Sequence, residues 1–138
     1  MEKMMFVSHG DKGGVGKSVI SMLVVEALLQ RDLIVSLIEG DNKTPDLAKR
    51  YAGTTNVSLG VLSLNRAGDA ENALSKFGDY LESHDASFVV VNLPAGAGDT
   101  LDANGDLLRG LADALEYKLI VTYAMEKTRC PLTVLSIP

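Results

Sequence analysis

Residues His9–Val19 read HGDKGGVGKSV and set four glycines, Gly10, Gly13, Gly14 and Gly16, beside two lysines, Lys12 and Lys17. Glycines open backbone angles closed to other residues and leave amide N–H groups bare. Successive bare N–H groups running into a helix start make a concave seat for phosphate oxygens, favoured further by the positive end of the helix dipole. Lys17 brings a point charge on a flexible stem to the β and γ phosphates. The Ser18 hydroxyl suits a Mg²⁺ ion that bridges the same oxygens. The pattern predicts a nucleoside triphosphate site in which Gly13, Gly14, Val15, Gly16, Lys17, Ser18 and Val19 contact the nucleotide. Strict phosphate-loop spacing asks for glycine five residues before Gly16, where this chain has Asp11, and Gly10 stands one place early.

Such a loop works only between a strand and a helix. Met4–Ser8 (MMFVS) is an apolar run that reads as a buried strand. Ser18–Gln30 (SVISMLVVEALLQ) reads as a helix apolar almost all round, expected to pack on several sides. Further strands are predicted at Leu33–Ile38, Val57–Leu64, Ser87–Leu93 and Lys118–Tyr123. Helices are predicted at Pro45–Tyr51, with Thr44 as cap, and at Ala70–Glu82, with Asp69 as cap and Ala73, Leu74, Phe77 and Leu81 on one face. Another is predicted at Asp106–Glu116, and Pro131–Ile137 reads as the start of a last helix. The unbroken β-branched run in SFVVVNL suits a strand covered on both faces. Strands alternating with helices predict an α/β fold, a mainly parallel sheet with helices on both faces.

The 138 residues suit one domain, and 46% apolar residues suffice for a core. A net charge of −5 argues against a surface that binds nucleic acid all over. Cys130 is the single cysteine, so no internal disulfide forms. The opening MEKMMFVSHG lacks a signal-peptide pattern, and no apolar run reaches the ~20 residues that span a bilayer. A cytoplasmic protein without a membrane segment is the expectation.

Lys12 is more than a plain phosphate loop requires. Lys12–Ser18 (KGGVGKS) resembles the deviant Walker A motif K-G-G-x-G-K-[ST] of the ParA/MinD family of ATPases. Leu37–Lys43 (LIEGDNK) is similar to the family's acidic D-x-D segment, with Glu39 in the first place and Asp41 in the second. Phe88–Gly98 (FVVVNLPAGAG) is similar to its Walker B and switch II segment; Pro94, Ala95 and Gly96 match, but Asn92 stands where the family has aspartate. The resemblance implies a three-layer P-loop NTPase-like fold that takes ATP and Mg²⁺. It implies a homodimer closed over two ATP molecules, with Lys12 reaching the nucleotide of the other subunit. A charge supplied in trans acts where phosphoryl transfer builds up negative charge. Lys12 and Asp41 are then the catalytic residues, Asp41 orienting a water, and Ser18, Asp41 and Asn92 the metal set. Asparagine brings no charge to balance Mg²⁺, so a weak Mg²⁺-dependent ATPase is expected, and Asn92→Asp is expected to raise its turnover.

The resemblance runs from residue 1 to about Tyr123. Members of the family continue well past this length, so the chain reads either as the N-terminal part of such an ATPase with the C-terminal strands missing or as an unusually short relative. The implied roles are plasmid or chromosome partition, division-site positioning, or help in conjugative DNA transfer. The implied partners are a protein that stimulates hydrolysis, and DNA through the dimer or the missing region. Two other readings stay open: a nucleotide-binding or protein-interaction module without hydrolysis, suggested by Asn92, and a small-molecule ligase or kinase on the same fold. One cysteine does not suffice for the iron–sulfur reductases of this fold. His9 and His84 read as strand-end and helix-end residues, and Lys43, Lys49 and Arg50 as a solvated face.

Lys17→Ala is expected to abolish nucleotide binding in isothermal titration calorimetry. Unchanged affinity would remove the assignment of the loop.

Overall fold

A computed structural model describes residues 2–10, 17–40, 46–61, 70–84, 87–92, 108–124 and 132–137. In chain order these form β1 (Lys3–Gly10), α1 (Lys17–Gln30), β2 (Val35–Glu39), α2 (Asp46–Tyr51), β3 (Val57–Val61), α3 (Ala70–His84) and β4 (Phe88–Asn92). They continue with α4 (108–114), β5 (Tyr117–Ala124) and β6 (Leu132–Ile137). The strands lie in the order β3-β2-β4-β1-β5-β6. β1, β2, β3, β4 and β5 run parallel, and β6 is antiparallel to β5.

Leu132–Ile137 is therefore a strand, where the sequence suggested a helix. LTVLSI carries β-branched Thr133, Val134 and Ile137, which suit a pleated surface. Pairing it along β5 also satisfies backbone groups that an open edge would leave exposed. The other predicted strands stand close to their expected limits. β1 runs on to Gly10, past the Ser8 boundary, and β3 is described to Val61. Thr44, Pro45 and Asp69, expected at helix starts, lie outside the described residues.

Alternation along the strands builds two cores. Met5, Val7, Ile38, Val89, Val91 and Leu119 face α3 and α4, packing on Phe77, Leu81, Leu108 and Ala112. Val35, Leu37, Phe88 and Val90 face α1 and α2, packing on Val25, Leu28, Leu47 and Tyr51. The continuous apolar run of β4 thus divides between the two sides, as a doubly covered parallel strand requires. α1 differs from its expectation: Val25 and Ser21 are fully buried, but Val19 and Leu23 are 53% and 59% exposed. Apolar composition shows what a helix can bury, and packing decides which part it does.

Two glycines set how closely layers approach. A Cβ on Gly60 of β3 would lie 3.0 Å from Ile38 Cδ1 and 3.3 Å from Tyr80 Cζ. The space lets Tyr80 cross the strand, with its hydroxyl 3.0 Å from Ser58 Oγ. A Cβ on Gly78 of α3 would lie 2.9 Å from Leu111 Cδ1, so α3 and α4 meet through that position.

Turns into the strands use left-handed residues. α1 ends in a Schellman motif: Asp32 (φ 58°) donates its N–H to Leu29 O at 2.9 Å, and Leu33 donates to Leu28 O at 3.2 Å. Asn56 (φ 68°) precedes β3 and Glu116 (φ 64°) precedes β5. Glutamate gains nothing from this conformation that glycine lacks, and a side chain there is strained. Glu116→Gly is expected to raise stability by about 0.5–1 kcal/mol, read as a higher urea midpoint.

Candidate functional site: a polar row at the ends of the central strands

On their α1-facing side the central strands β1, β4 and β2 turn from apolar to polar near their carboxyl ends. In register, Thr122 of β5 pairs with Ser8 of β1, Ser8 pairs with Asn92 of β4, and Asn92 pairs with Glu39 of β2. One row across four strands is thus wholly polar, and every member is buried: Thr122, Ser8, Asn92 and Glu39. In the α1-facing row two residues earlier stand Ile120, Phe6, Val90 and Leu37. The change from oil to polar happens in one step, at the carboxyl edge of the sheet. Open α/β sheets bind their ligands outside that edge.

Buried polar groups need partners, and these find one another. The hydroxyl of Ser21, fully buried on α1, lies 2.8 Å from Ser8 Oγ and 3.2 Å from Asn92 Oδ1. Asn92 Nδ2 donates to Glu39 Oε2 at 2.8 Å. Glu39 Oε1 lies 3.5 Å from Ala48 N, in the first turn of α2. At the other end Thr122 Oγ1 donates toward Val7 O at 3.4 Å and lies 3.3 Å from Ser8 Oγ. The main chain joins in: Gly40 N donates to Asn92 O at 2.7 Å, carrying the β2–β4 contact one residue past the strand. One hydrogen-bonded line therefore ties β5, β1, α1, β4, β2 and α2 together.

β1 ends at Gly10 and α1 begins at Lys17. Residues 11–16 thus connect a central strand to a 14-residue helix, the setting the glycine-rich sequence demands. Lys12, Gly13, Gly14, Val15 and Gly16 lie outside the described residues, as does Asp41, which follows Gly40. Lys17, Ser18 and Val19 form the first turn of α1, described by backbone for Lys17 and Ser18, with the Val19 side chain facing outward. Asn92 ends β4 with its amide held between Ser21 and Glu39. The donors of this edge are carboxylate, amide and hydroxyl oxygens, a hard set that suits Mg²⁺ rather than a thiophilic metal. Among the described residues no group of three His, Cys, Asp or Glu side chains is placed to hold a metal.

The sequence reading named Asn92 and Glu39 but passed over Ser8, Ser21 and Thr122. Their signal was a hydroxyl residue breaking an apolar run, at MMFVS, SVISML and KLIVTY. His84 sits at the end of α3, its ring stacked on Tyr80 at 4.0 Å with Nδ1 2.9 Å from Tyr80 O, as a helix-end residue. Lys49 and Arg50 are exposed on the last turn of α2. Cys130 and Lys43 lie outside the described residues.

A mainly parallel sheet with helices on both faces, and a strand–loop–helix at its centre, define an α/β fold of the P-loop NTPase type. The crystal structure of FlhF complexed with GMPPNP and Mg²⁺ superposes with a TM-score of 0.53 at 11% identity, over 99% of this chain and 71% of that one. At that identity the likeness shows the fold alone. A nucleotide-binding protein from Archaeoglobus fulgidus, in complex with ADP, is more distant, with a TM-score of 0.46 at 15% identity over 96% of this chain and 72% of its own. By sequence, the MobD protein of Acidithiobacillus ferrooxidans is 31% identical over 135 residues, 98% of this chain. The chain spans 57% of the length of that relative. No family model matches the chain. Among the described residues no helix is long and apolar enough to cross a membrane.

Ser21→Ala removes the hydroxyl between Ser8 and Asn92. It is expected to cost about 1–3 kcal/mol, the penalty for leaving buried polar partners short of a bond, measured by urea denaturation.

Proposed function

We propose that the chain binds ATP with Mg²⁺ at the β1–α1 loop and acts as a nucleotide-switched, dimerising ATPase in DNA mobilisation or conjugative transfer. The observation that carries this reading is the buried polar row near the carboxyl ends of β1, β4 and β2, with β1 followed in sequence by KGGVGKS. Backbone N–H groups of Gly13, Gly14, Val15, Gly16 and the first turn of α1 take the phosphate oxygens, and Lys17 neutralises the β and γ phosphates. Ser18, Asp41 and Asn92 would hold the metal. Mg²⁺ held there would supply charge neutralisation. Asp41 orients the water, and Lys12 reaches the phosphates of the partner subunit. The identity to MobD supports DNA mobilisation over partition or division-site placement. A hydrolysis-stimulating protein and DNA are the partners that the resemblance suggests for such a switch.

A second reading is a nucleotide-binding module without turnover. The neutral Asn92, at the metal end of β4 and already bonded to Glu39 and Ser21, favours it. Single-turnover hydrolysis no faster than that of Lys17→Ala would select it.

The first reading predicts a mass that doubles in light scattering when ATP and Mg²⁺ are added. Lys12→Ala is expected to bind ATP with affinity within about threefold of wild type and to stay monomeric, since its charge acts across the interface. A wild-type chain that binds ATP and remains a monomer would exclude the dimer switch.

A further inference from the structure

Glu39 and Asn92 are register partners at the ends of β2 and β4, 1% and 2% exposed. A primary amide has a donor end and an acceptor end. Its donor end, Nδ2, lies 2.8 Å from Glu39 Oε2, and its acceptor end lies 3.2 Å from the Ser21 hydroxyl on α1. Turning the amide over would place Oδ1 against a carboxyl oxygen with no hydrogen between them. Glu39 is itself fixed from its far side, where Oε1 faces Ala48 N of α2 at 3.5 Å. The carboxyl group therefore faces N–H groups on both its oxygens and dictates which end of Asn92 points toward α1.

We propose that Glu39 is a positioning residue that keeps the Asn92 carbonyl oxygen turned toward α1, and that the paired ends of β2 and β4 accept one acidic side chain between them. The proposal rests on the nucleotide-site reading only for the consequence of that orientation, which is an oxygen donor presented on the metal side. It gives Asn92→Asp a cost in stability, separate from the turnover expected from sequence. That substitution sets a second buried carboxyl where a 2.8 Å hydrogen bond now stands. Exchanging both residues rebuilds every bond named above. In Glu39→Gln with Asn92→Asp, the new amide N–H₂ donates to the new carboxylate, and its carbonyl oxygen faces Ala48 N. Glu39→Gln alone offers an N–H₂ to Asn92 and turns the Asn92 amide over, so that Nδ2 faces Ser21.

The test compares wild type, Glu39→Gln, Asn92→Asp and the exchanged pair in two measurements. In urea denaturation, Asn92→Asp is expected to lower the midpoint by about 1 M, and the exchange to recover at least half of the loss. In calorimetry, the gain in ATP affinity on adding Mg²⁺ is expected to fall about tenfold in Glu39→Gln and to return in the exchanged pair, a change that a merely structural glutamate would not produce. A wild-type midpoint in Asn92→Asp, no recovery in the exchange, or an undiminished Mg²⁺ gain in Glu39→Gln would each overturn the proposal. A wild-type chain that fails to bind ATP overturns the nucleotide reading instead. The denaturation cycle then decides by itself whether the two strand ends hold a single acid.

Discussion

Four adjacent strands exchange apolar side chains for polar ones in the same row, and that row is closed off from water. Burying a carboxyl, an amide and hydroxyl groups is costly unless each is paired. Here the pairing is mutual and runs sideways, from Thr122 through Ser8, Ser21 and Asn92 to Glu39 and the start of α2. Every bond in the line joins different elements, and those of Asn92 with Ser21 and Glu39 and of Thr122 with Ser8 join segments distant in the chain, so the line is complete only when the sheet is assembled. The packing of α1 on β1 and β4, and the placing of α2 after β2, are conditions of the same network.

The apolar layers make that network affordable. Val35, Val89, Val90 and Leu37 are wholly excluded from solvent, and α1, α3 and α4 press on the sheet from its two sides. A dense surrounding of this kind lowers the local dielectric, which strengthens satisfied hydrogen bonds and penalises unsatisfied ones. The Glu39–Asn92 pair lies at the end of this medium, next to the segments that carry Lys17 and Asp41 in sequence. An amide held by a carboxyl on one end and a hydroxyl on the other has little freedom to adapt. What it presents to the carboxyl edge of the sheet is fixed when the chain folds.

Most of the architecture was legible in the residues. The β-branched run at Val89–Val91 required cover on two sides, and two cores are found there. The glycine-rich segment demanded a strand before it and a helix after it, and β1 and α1 stand in those places. Leu132–Ile137 was misread because a short apolar run has no period that separates strand from helix; the free edge of β5 made the choice. The exposure of Val19 and Leu23 was misread for a related reason, since periodicity names no packing partner. Ser8, Ser21 and Thr122 were overlooked because a single serine or threonine in an apolar run is ordinary, and only register shows that three of them meet.

Sequence by itself determined the class of fold, because strand–helix alternation is a local property, and the order of glycine, lysine and serine is what suggests a phosphate site in the loop. It also gave Asn92 in place of an acid. Only the tertiary structure decided what that replacement means. Residues 39 and 92 lie far apart along the chain, and pairing β2 beside β4 sets their side chains 2.8 Å from each other. At residue 92 an amide bonds the acid that stands on the neighbouring strand, a relation that exists only where the two strands hydrogen-bond.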